Sequence, residues 1–427
     1  MLLPRIVPDG PLTIAMIGTR GVPAQYGGFE TAIEEIGRRL VDQGHDIVVY
    51  SRGGDRSREH LGMERVRLPA VKQKHLETLE HTGLSVLHAI TRRRPDVAFV
   101  FNAANAPFLP LLRARSVPTA LHMDGLEWKR GKWGRLGKRY YRWSESFGVN
   151  WADALIADAP GIGRYYDEEF GVETELIRYG APIVDSAPTD KVAAMGLEPG
   201  RFHLVVARFE PENHLREIVE GYHASNATMP LVVVGSAPYA AEYTEQVRRA
   251  AGDDPRILFP GAVWDQDLLN ALYHHAFTYV HGHSVGGTNP SLLRAIGAGT
   301  HVIYYDVDFN QEIVGPHGHA FLDPGGVARA LEDAEARPEV TRANGVALRE
   351  VAAARFDWDE VAADYLRLAR RLAAGQSVHR RAHYRRGAHQ VVDEPEVSSG
   401  PSSSSVVVLP GAPARPGQTA RASRAAR

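Results

Sequence analysis

The length, composition and charge of the chain describe a multidomain globular protein and exclude several classes of function. Its 427 residues are too many for one hydrophobic core, and its 44% apolar and 23% charged content are ordinary for a folded protein. A formal net charge of −2 gives no general attraction for nucleic acid, and the absence of cysteine excludes disulfides, thiolate metal sites and thiol nucleophiles.

The sequence predicts neither a secretion signal nor a membrane span. Residues 1–9 contain two prolines and lack the uninterrupted apolar core of a signal peptide. No stretch approaches the ~18 apolar residues that cross a bilayer. We therefore expect a cytoplasmic protein that is either free in solution or peripheral on the inner face of the cell membrane.

The first predicted strand, residues 13–17, runs into a glycine-rich turn that precedes a helix. Gly21, Gly27 and Gly28 have no Cβ, so the chain can turn sharply there and leave room for a ligand. Backbone N–H groups and the positive end of the helix favour a phosphate or a sugar. The turn lacks the complete G-x-G-x-x-G pattern, so it does not predict a dinucleotide cofactor.

Short apolar runs recur along the chain and predict strands covered on both faces, because they are continuous rather than alternating. In the first half the predicted strands are 13–17, 46–50, 97–101, 119–122 and 154–157. In the second half they are 203–207, 231–234, 257–259, 278–280 and 302–305. Helical patterns lie between them, for example at 29–42 and 213–224, which indicates parallel α/β sheets.

The alternation stops at a proline-rich stretch, residues 181–190, and resumes at residue 203. The predicted fold class is therefore α/β, with two Rossmann-like domains that face each other across a deep cleft. The predicted segments are an N-terminal extension 1–11, a first domain 12–182, a linker 183–200, a second domain 201–355, a closing helix 356–375 and a disordered tail 376–427.

A second glycine-rich loop precedes a helix predicted to begin at Pro290. Thr288 or Asn289 can cap this helix, and proline suits its first position. Gly286 and Gly287 let the backbone fold closely over a bound group. The helix start then directs its N–H groups at an anion such as a diphosphate.

The two loops, Tyr179-Gly-Ala-Pro and Val206-Ala-Arg-Phe-Glu-Pro-Glu-Asn213 together resemble the retaining nucleotide-sugar glycosyltransferases of family 4. Within that family the chain is most similar to the bacterial subgroup that contains rhamnosyltransferases of capsule and polysaccharide assembly. The resemblance implies a GT-B fold, with the acceptor on the first domain and the donor nucleotide on the second. It implies transfer of a hexose or deoxyhexose from a dTDP- or UDP-linked sugar to a saccharide or polyprenyl-diphosphate-linked acceptor, with no metal or other cofactor.

The resemblance also implies roles for individual residues. Arg208 matches the arginine on the donor diphosphate, Asn213 stands where many members have lysine, and Val263-Trp264 falls where relatives hold the nucleobase. The predicted donor site comprises Gly27, Gly28, Arg208, Asn213, Val263, Trp264, Gly286, Gly287, Thr288, Asn289, Arg294 and Glu312. No protein nucleophile is implied, since the leaving diphosphate helps to deprotonate the attacking hydroxyl.

Arg294 departs from the family pattern. Members carry a glutamate there that accepts hydrogen bonds from the nucleotide ribose, whereas a guanidinium only donates. Either Arg294 pairs with a phosphate, or Glu312 takes over the hydroxyls, or the chain is a partner protein without activity. Two alternatives to an active transferase therefore stay open: a scaffold in polysaccharide assembly and a nucleotide-sugar epimerase.

Polar residues at the predicted end of the fourth strand are candidates for the reaction itself. His122 and Asp124 follow that strand, where doubly wound proteins keep their sites, and are predicted to orient the sugar or acceptor. The alternative is an Asx-type turn with a structural histidine. The predicted catalytic residues are Asp124, His122 and Arg208, and those on the acceptor side are Tyr26, Glu30 and Glu127.

A basic and aromatic segment and two possible metal motifs complete the candidates. Between Lys129 and Arg142 there are seven Lys/Arg and no acid, which indicates either an anionic membrane surface or a solvated helix face. We do not expect nucleic acid. Asp306-Val-Asp308 is predicted to be a strand-end turn, and the paired histidines lack a carboxylate at metal-ligand spacing, so no metal site is expected.

Overall fold

The computed structural model describes residues 10–24, 27–53, 57–70, 77–123, 125–130, 133–236 and 240–376. Four of the predicted features lie outside these residues: most of the N-terminal extension, Tyr26, Asp124 and, apart from its first residue, the tail predicted to be disordered. The described chain contains two β-sheets, each with helices on both faces. The prediction of two Rossmann-like α/β domains is confirmed.

The first sheet has eight strands in the order β3-β4-β2-β1-β5-β6-β7-β8, and every neighbouring pair is parallel except β3 and β4. Its strands are β1 (Thr13–Ile17), β2 (Asp46–Arg52), β3 (Glu59–His60), β4 (Met63–Leu68), β5 (Val97–Phe101), β6 (Thr119–His122), β7 (Ala154–Ala157) and β8 (Glu175–Leu176). Its helices are α1 (Gly28–Asp42), α2 (Glu77–His88), α3 (Leu109–Ala114), α4 (Arg135–Trp151) and α5 (Pro160–Phe170).

The core of the first domain lies on both sides of this sheet, since successive side chains of a strand point to opposite faces. On one face, Ile14 and Met16 of β1 pack with Ile33 and Ile36 of α1. On the other face, side chains of α2, α3, α4 and α5 form a second apolar cluster with Ala15 and the alternate residues of the other strands. The helices α2, α3 and α4 therefore form one outer layer.

The second sheet has six parallel strands in the order β11-β10-β9-β12-β13-β14. A short helix α6 (Asp190–Ala193) precedes it, and its strands are β9 (His203–Val206), β10 (Leu231–Val234), β11 (Ile257–Gly261), β12 (Thr278–His281), β13 (His301–Tyr305) and β14 (Gly318–Phe321). Its helices are α7 (Leu215–Ala224), α8 (Ala241–Ala251), α9 (Gln266–His275), α10 (Pro290–Gly297), α11 (Asp308–Val314), α12 (Pro324–Ala336) and α13 (Pro338–Arg355).

The last described helix, α14 (Trp358–Ala373), returns to the first domain. Its Tyr365 is buried with its ring 4.9 Å from that of Phe99 in β5. The N–H of Ala181, where the chain first leaves this domain, donates to the carbonyl of Phe356 at 2.7 Å. The chain therefore passes between the domains twice, at adjacent points. No helix in the described ranges is long and apolar enough to span a bilayer.

Candidate functional site

The glycine-rich loops of the two domains lie against each other. Gly27 precedes α1 with a φ of 114°, and a Cβ on Gly28 would lie 2.8 Å from Cγ of Pro290, the first residue of α10. A Cβ on Gly125, just beyond β6, would lie 2.7 Å from Cα of Gly286. Larger residues at Gly28 and Gly125 would force the loops apart, so glycine permits this close approach.

The start of α10 is fastened to the first domain. The Thr288 hydroxyl donates to the carbonyl oxygen of Asp158, beyond β7, at 2.9 Å, and a Cβ on Gly287 would collide with the Asp158 carboxylate. Asn289 caps its own helix, because its side-chain oxygen accepts from the N–H of Ser291 at 2.9 Å. The first turn of α10 therefore begins at the interface between the domains.

A hydrogen-bond network joins this loop to the turn that follows β9. Nδ1 of His283 lies 2.9 Å from Oδ1 of Asn213, whose Nδ2 donates to the carbonyl of Arg208 at 2.8 Å. Nε2 of His214 is hydrogen-bonded to the Ser284 hydroxyl at 2.9 Å. The structure thus gives Asn213 a bridging position between two loops, and both ends of its amide are engaged in that network.

The charge in this region is carried by arginine rather than histidine. Burial lowers the pKa of His281 to about 3, and burial together with the nearby charges of Arg130 and Arg208 lowers the pKa of His283 well below its usual range. Both histidines are therefore neutral at pH 7. Arg130 belongs to the first domain and Arg208 to the second, so the two domains contribute positive charge to the same place.

The Arg208 side chain is about one-third exposed, and its Nη2 lies 3.2 Å from Oε2 of the buried Glu210. This ion pair holds the guanidinium while leaving part of it accessible to solvent. A partly exposed, oriented guanidinium suits two oxyanions at once.

A cavity of about 410 Å³ opens beside the loops, between the two domains. It is lined from the first domain by Leu126, Lys129, Ala159, Gly161 and Ile162, and from the second by Ser284, Val285, Gly286, Asp306, Val307, Asp308 and Phe309. Asp306 and Asp308, which the sequence predicts to form a strand-end turn, both lie at the cavity wall. Within the described part of the chain, no three His, Asp or Glu side chains are grouped as metal ligands.

Arg294 lies beside α9. Its Nη2 donates to Oε1 of Gln266 at 3.0 Å, and its guanidinium lies 5.9 Å from the ring centroid of Tyr273. Burial lowers the pKa of the Arg294 guanidinium. Trp264, two residues before Gln266, is 62% exposed, while Val263 packs on the core. Arg294 and the predicted nucleobase residues therefore lie on the same side of the second domain.

Glu312 has a different environment from the one expected of a ribose-binding carboxylate. It lies on α11 and accepts from Nη2 of Arg164, on α5 of the first domain, at 2.8 Å. This ion pair connects the domains across the cleft. Asn310, two residues earlier, is fully buried and donates to the carbonyl of His283 at 2.9 Å.

His122 is buried in an aromatic cluster at the end of β6. Its ring stacks on those of Phe101 and Tyr179 with centroids 5.6 Å and 5.8 Å away, and Phe29 contacts it edge-on at 5.0 Å. Burial lowers the pKa of His122 to about 4. The ring is therefore neutral and packs where α1, β5, β6 and the domain junction meet. A role in orienting the sugar or acceptor stays a prediction.

The described acceptor-side candidates brace their own loops. Oε1 of Glu30 accepts from the N–H of Arg20 at 3.0 Å, which ties the start of α1 to the turn after β1, and burial raises its pKa. Oε1 of Glu127 lies 2.7 Å from Nε of Arg130, and its Oε2 accepts from the Trp133 indole at 3.1 Å. Tyr26 and Asp124 are outside the described residues.

Sequence reasoning missed three contributions to the site: Arg130, Lys129 and Asn310. The first two were assigned to a basic surface segment, because nothing in a local pattern shows that one end of it turns into the cleft. Asn310 follows a strand end by five residues, and its buried amide could only have been identified from its partners.

Two protein families match the chain. Residues 27–180 match the glycosyl transferase 4-like domain, and residues 201–337 match the glycosyl transferases group 1 domain. The two matches correspond to the two sheets. No curated protein sequence matches the chain.

Several solved structures have the same fold. Sucrose-phosphate synthase from Thermosynechococcus elongatus superposes with a TM-score of 0.74 at 21% identity, covering 85% of this chain and 100% of that one. HepE from Anabaena, in complex with UDP-glucose, gives 0.68 at 14% identity over 84% and 100%. The α,α-trehalose 6-phosphate synthase from Burkholderia multivorans gives 0.66 at 13% over 88% and 99%. At these identities the similarity establishes the GT-B fold.

Proposed function

The chain consists of two glycosyltransferase domains in the GT-B arrangement, and on this premise we propose that it transfers a sugar from a nucleoside-diphosphate donor. The donor is a dTDP- or UDP-linked hexose or deoxyhexose, such as rhamnose, and transfer proceeds with retention. The acceptor is a saccharide or a polyprenyl-diphosphate-linked saccharide in cell-surface polysaccharide assembly, at the cytoplasmic face of the membrane.

The observation that supports this proposal most directly is the convergence of arginine charge on the paired glycine loops. The charges of Arg208 and Arg130, which belong to opposite domains, both lower the pKa of the buried His283, in the loop that leads to α10. A diphosphate there would meet two guanidiniums and backbone N–H groups in a site with little water, where such donors are strong. HepE, which has this fold, was solved with UDP-glucose.

In the proposed mechanism the protein positions both substrates and stabilises the departing diphosphate. The acceptor hydroxyl attacks the anomeric carbon on the face that the diphosphate leaves, and a diphosphate oxygen takes the hydroxyl proton. The neutral His281 and His283 do not supply a cation at pH 7, so Arg208 and Arg130 offset the developing charge. We propose that no metal ion is required, and transfer should therefore be unchanged by EDTA.

The remaining candidates divide between the two substrates. Trp264 and Val263 would receive the base, and Arg294 would donate to a phosphate or a base carbonyl, since it cannot accept from ribose hydroxyls. His122, Asp124, Tyr26, Glu30 and Glu127 would form the acceptor side.

Substituting Arg208→Ala tests the donor assignment. We expect kcat for sugar transfer to fall about 10²–10³-fold, as for other lost transition-state donors. The matched control is Arg201→Ala in the same domain, where the guanidinium is 56% exposed and pairs with Glu198. Transfer from labelled donors to membrane extracts would be measured for both. Unchanged transfer by Arg208→Ala would contradict the assignment.

A second candidate function, a scaffold without catalysis, is favoured by Arg294. Calorimetry with UDP and dTDP separates the two functions. Binding with a Kd of about 1–100 μM supports the transferase, whereas absence of binding at millimolar nucleotide supports the scaffold. Conversion of a nucleotide sugar without any acceptor would instead indicate an epimerase.

A further inference from the structure

We propose that the outer helical layer of the first domain is a docking surface for an anionic lipid bilayer, which the protein binds without spanning it. This outer layer consists of α2 and the turn after it, α3 and α4. It extends well beyond the basic segment identified in the sequence. The purpose of docking, access to a lipid-linked acceptor, rests on the proposed function. The docking itself rests on the residues of the surface.

The outer layer exposes large apolar side chains on each of its helices. They are, with their exposed fractions, Leu87 (53%), Leu111 (46%), Leu136 (82%), Trp143 (50%) and Trp151 (36%). Isolated exposed apolar residues are normal on a protein surface, but a set of them on adjacent helices marks an interaction site.

An aromatic ladder runs along α4 and gives this surface a direction. Tyr140, Trp143, Phe147 and Trp151 follow each other at three- and four-residue spacing, with consecutive ring centroids 5.9, 5.2 and 5.7 Å apart. This spacing places them on one side of a helix that is ~25 Å long. Trp and Tyr rings, with apolar bodies and polar edges, suit the interfacial zone of a bilayer.

The charge of the layer is predominantly positive. Residues 81–95, 103–118, 128–130 and 133–151 contain one acid, Glu145, and it is buried. The exposed basic residues are Arg92, Arg93, Arg94, Arg113, Arg115, Lys129, Arg135, Lys138 and Arg139. Acids lie at the border of these ranges: Glu77 and Glu80 begin α2, with Glu77 3.8 Å from Arg52, and Glu64 and Glu169 are each paired with an arginine. An anionic surface is therefore attracted and meets no exposed carboxylate within these ranges.

Basic and aromatic groups are interleaved rather than separate. The Arg113 guanidinium of α3 lies 5.9 Å from the Trp151 ring centroid, and that of Arg142 lies 4.8 Å from the Trp128 ring centroid. Nucleic acid would use the charges and rings, but it offers no contact for the exposed Leu87, Leu111 and Leu136. A lipid bilayer has an apolar interior beneath an anionic surface. It can therefore contact the basic residues, the aromatic rings and the exposed leucines together.

The surface is also continuous with the cleft. Lys129 lines the cavity between the domains, and the ring of its neighbour Trp128 lies 4.8 Å from the guanidinium of Arg142 in α4. A sugar tethered to a lipid in the docked bilayer would reach the cavity along this segment. The surface thus fits an acceptor that remains anchored in the membrane during transfer.

Vesicle sedimentation of the full chain tests this surface. An apolar variant carries Leu111→Ser, Trp143→Ser and Trp151→Ser, and a charge variant carries Arg113→Glu, Arg115→Glu and Arg139→Glu. The matched control, on α13 of the second domain, carries Val340→Ser, Val346→Ser and Arg342→Glu, all at exposed positions. With phosphatidylglycerol-containing vesicles in low salt, each surface variant should need about tenfold more lipid for half-binding than wild type or control. Pure phosphatidylcholine vesicles should sediment little protein.

Several results would overturn the proposal. One is that wild-type protein stays in the supernatant with anionic vesicles. Another is that all variants bind these vesicles equally. A third is that these residues bind an oligonucleotide and the protein does not bind vesicles. Should the variants unfold, brominated lipid must still quench the tryptophan fluorescence of wild type, and no quenching refutes docking. UDP binding without vesicle binding would refute bilayer docking but not the proposed transferase function. Vesicle binding without nucleotide binding would refute the transferase function but not bilayer docking.

Discussion

At the scale of single residues, burial near the cleft leaves the histidines neutral and the arginines charged. Burial makes His122, His281 and His283 neutral at pH 7, since each has a pKa well below its usual range. Guanidinium remains charged under the same burial. A ligand with two negative phosphates therefore depends on arginine, and its affinity should not depend on histidine protonation near neutral pH.

Gly28 is expected to permit the close contact between the two domains. In Gly28→Ala the new methyl would press on the Pro290 ring, so the loops must separate, while alanine itself favours the helix start. We expect kcat/KM to fall about tenfold, equivalent to ~1.4 kcal/mol, with no loss of thermal stability. Steady-state kinetics and a melting curve measure the two effects.

The control for this substitution is Gly134→Ala, where a Cβ would meet no atom within 4 Å. Equal kinetics for the two variants would show that the contact between Gly28 and Pro290 does not matter for turnover.

A buried carboxyl predicts a stability that depends on pH. Burial raises the pKa of Glu145 in α4 from 4.5 to about 8, and its Oε2 accepts from the Tyr165 hydroxyl at 3.2 Å. The folded state keeps a proton that the unfolded state has lost between these pH values, so stability falls as the pH rises through this window. The side chain in Glu145→Gln cannot ionise. Across this window, the free energy of unfolding of this variant should therefore rise relative to that of wild type by at most about 1.4 kcal/mol per pH unit.

Urea unfolding at pH 5, 6, 7 and 8 measures that difference, and using the difference cancels the contribution of the histidines. A free-energy difference between Glu145→Gln and wild type that is constant across this range would refute a raised pKa.

At the scale of helices and strands, continuity of the apolar pattern decided what could be predicted. All ten predicted strands are present, because each contains an unbroken apolar run, although the edge strand β11 is only partly buried. The strands that were missed are β3, β4, β8 and β14. In β4, Met63–Leu68, three of six residues are charged and Glu64 and Arg65 are adjacent, so there is neither a continuous apolar run nor a regular alternation. The two-residue strands β3 and β8 are too short to carry any pattern.

Helix α14 is expected to stabilise the first domain although it follows the second in sequence. Leu368 is 1% exposed in the core shared by α1 and α14, so Leu368→Ala should lower the free energy of unfolding by about 2–5 kcal/mol. The neighbouring Arg367→Ala, at a side chain 63% exposed, should change it by less than about 0.5 kcal/mol. Denaturant unfolding measures both, and equal values would place Leu368 outside the core.

At the scale of the whole molecule, the sequence predicted two glycine-rich loops, which the structure brings together, but it did not predict which residues of the two domains make contact. Gly28 and Pro290 are 262 residues apart, and Arg130 and His283 are 153 apart. Local patterns define the faces of one element, whereas these contacts depend on how two domains pack. The resemblance to a family supplied the pairing of the loops, but it did not predict the ion pair between Arg164 and Glu312.

The double passage of the chain between the domains restricts their relative motion. Ala181 and Phe356 lie on the two connecting segments and are hydrogen-bonded to each other at 2.7 Å. Two covalent links held side by side permit one domain to swing about the line that joins them, and they oppose sliding. Substrate exchange would then occur by a hinged opening whose axis is fixed by backbone, with the mouth widest at the edge farthest from residues 181 and 356.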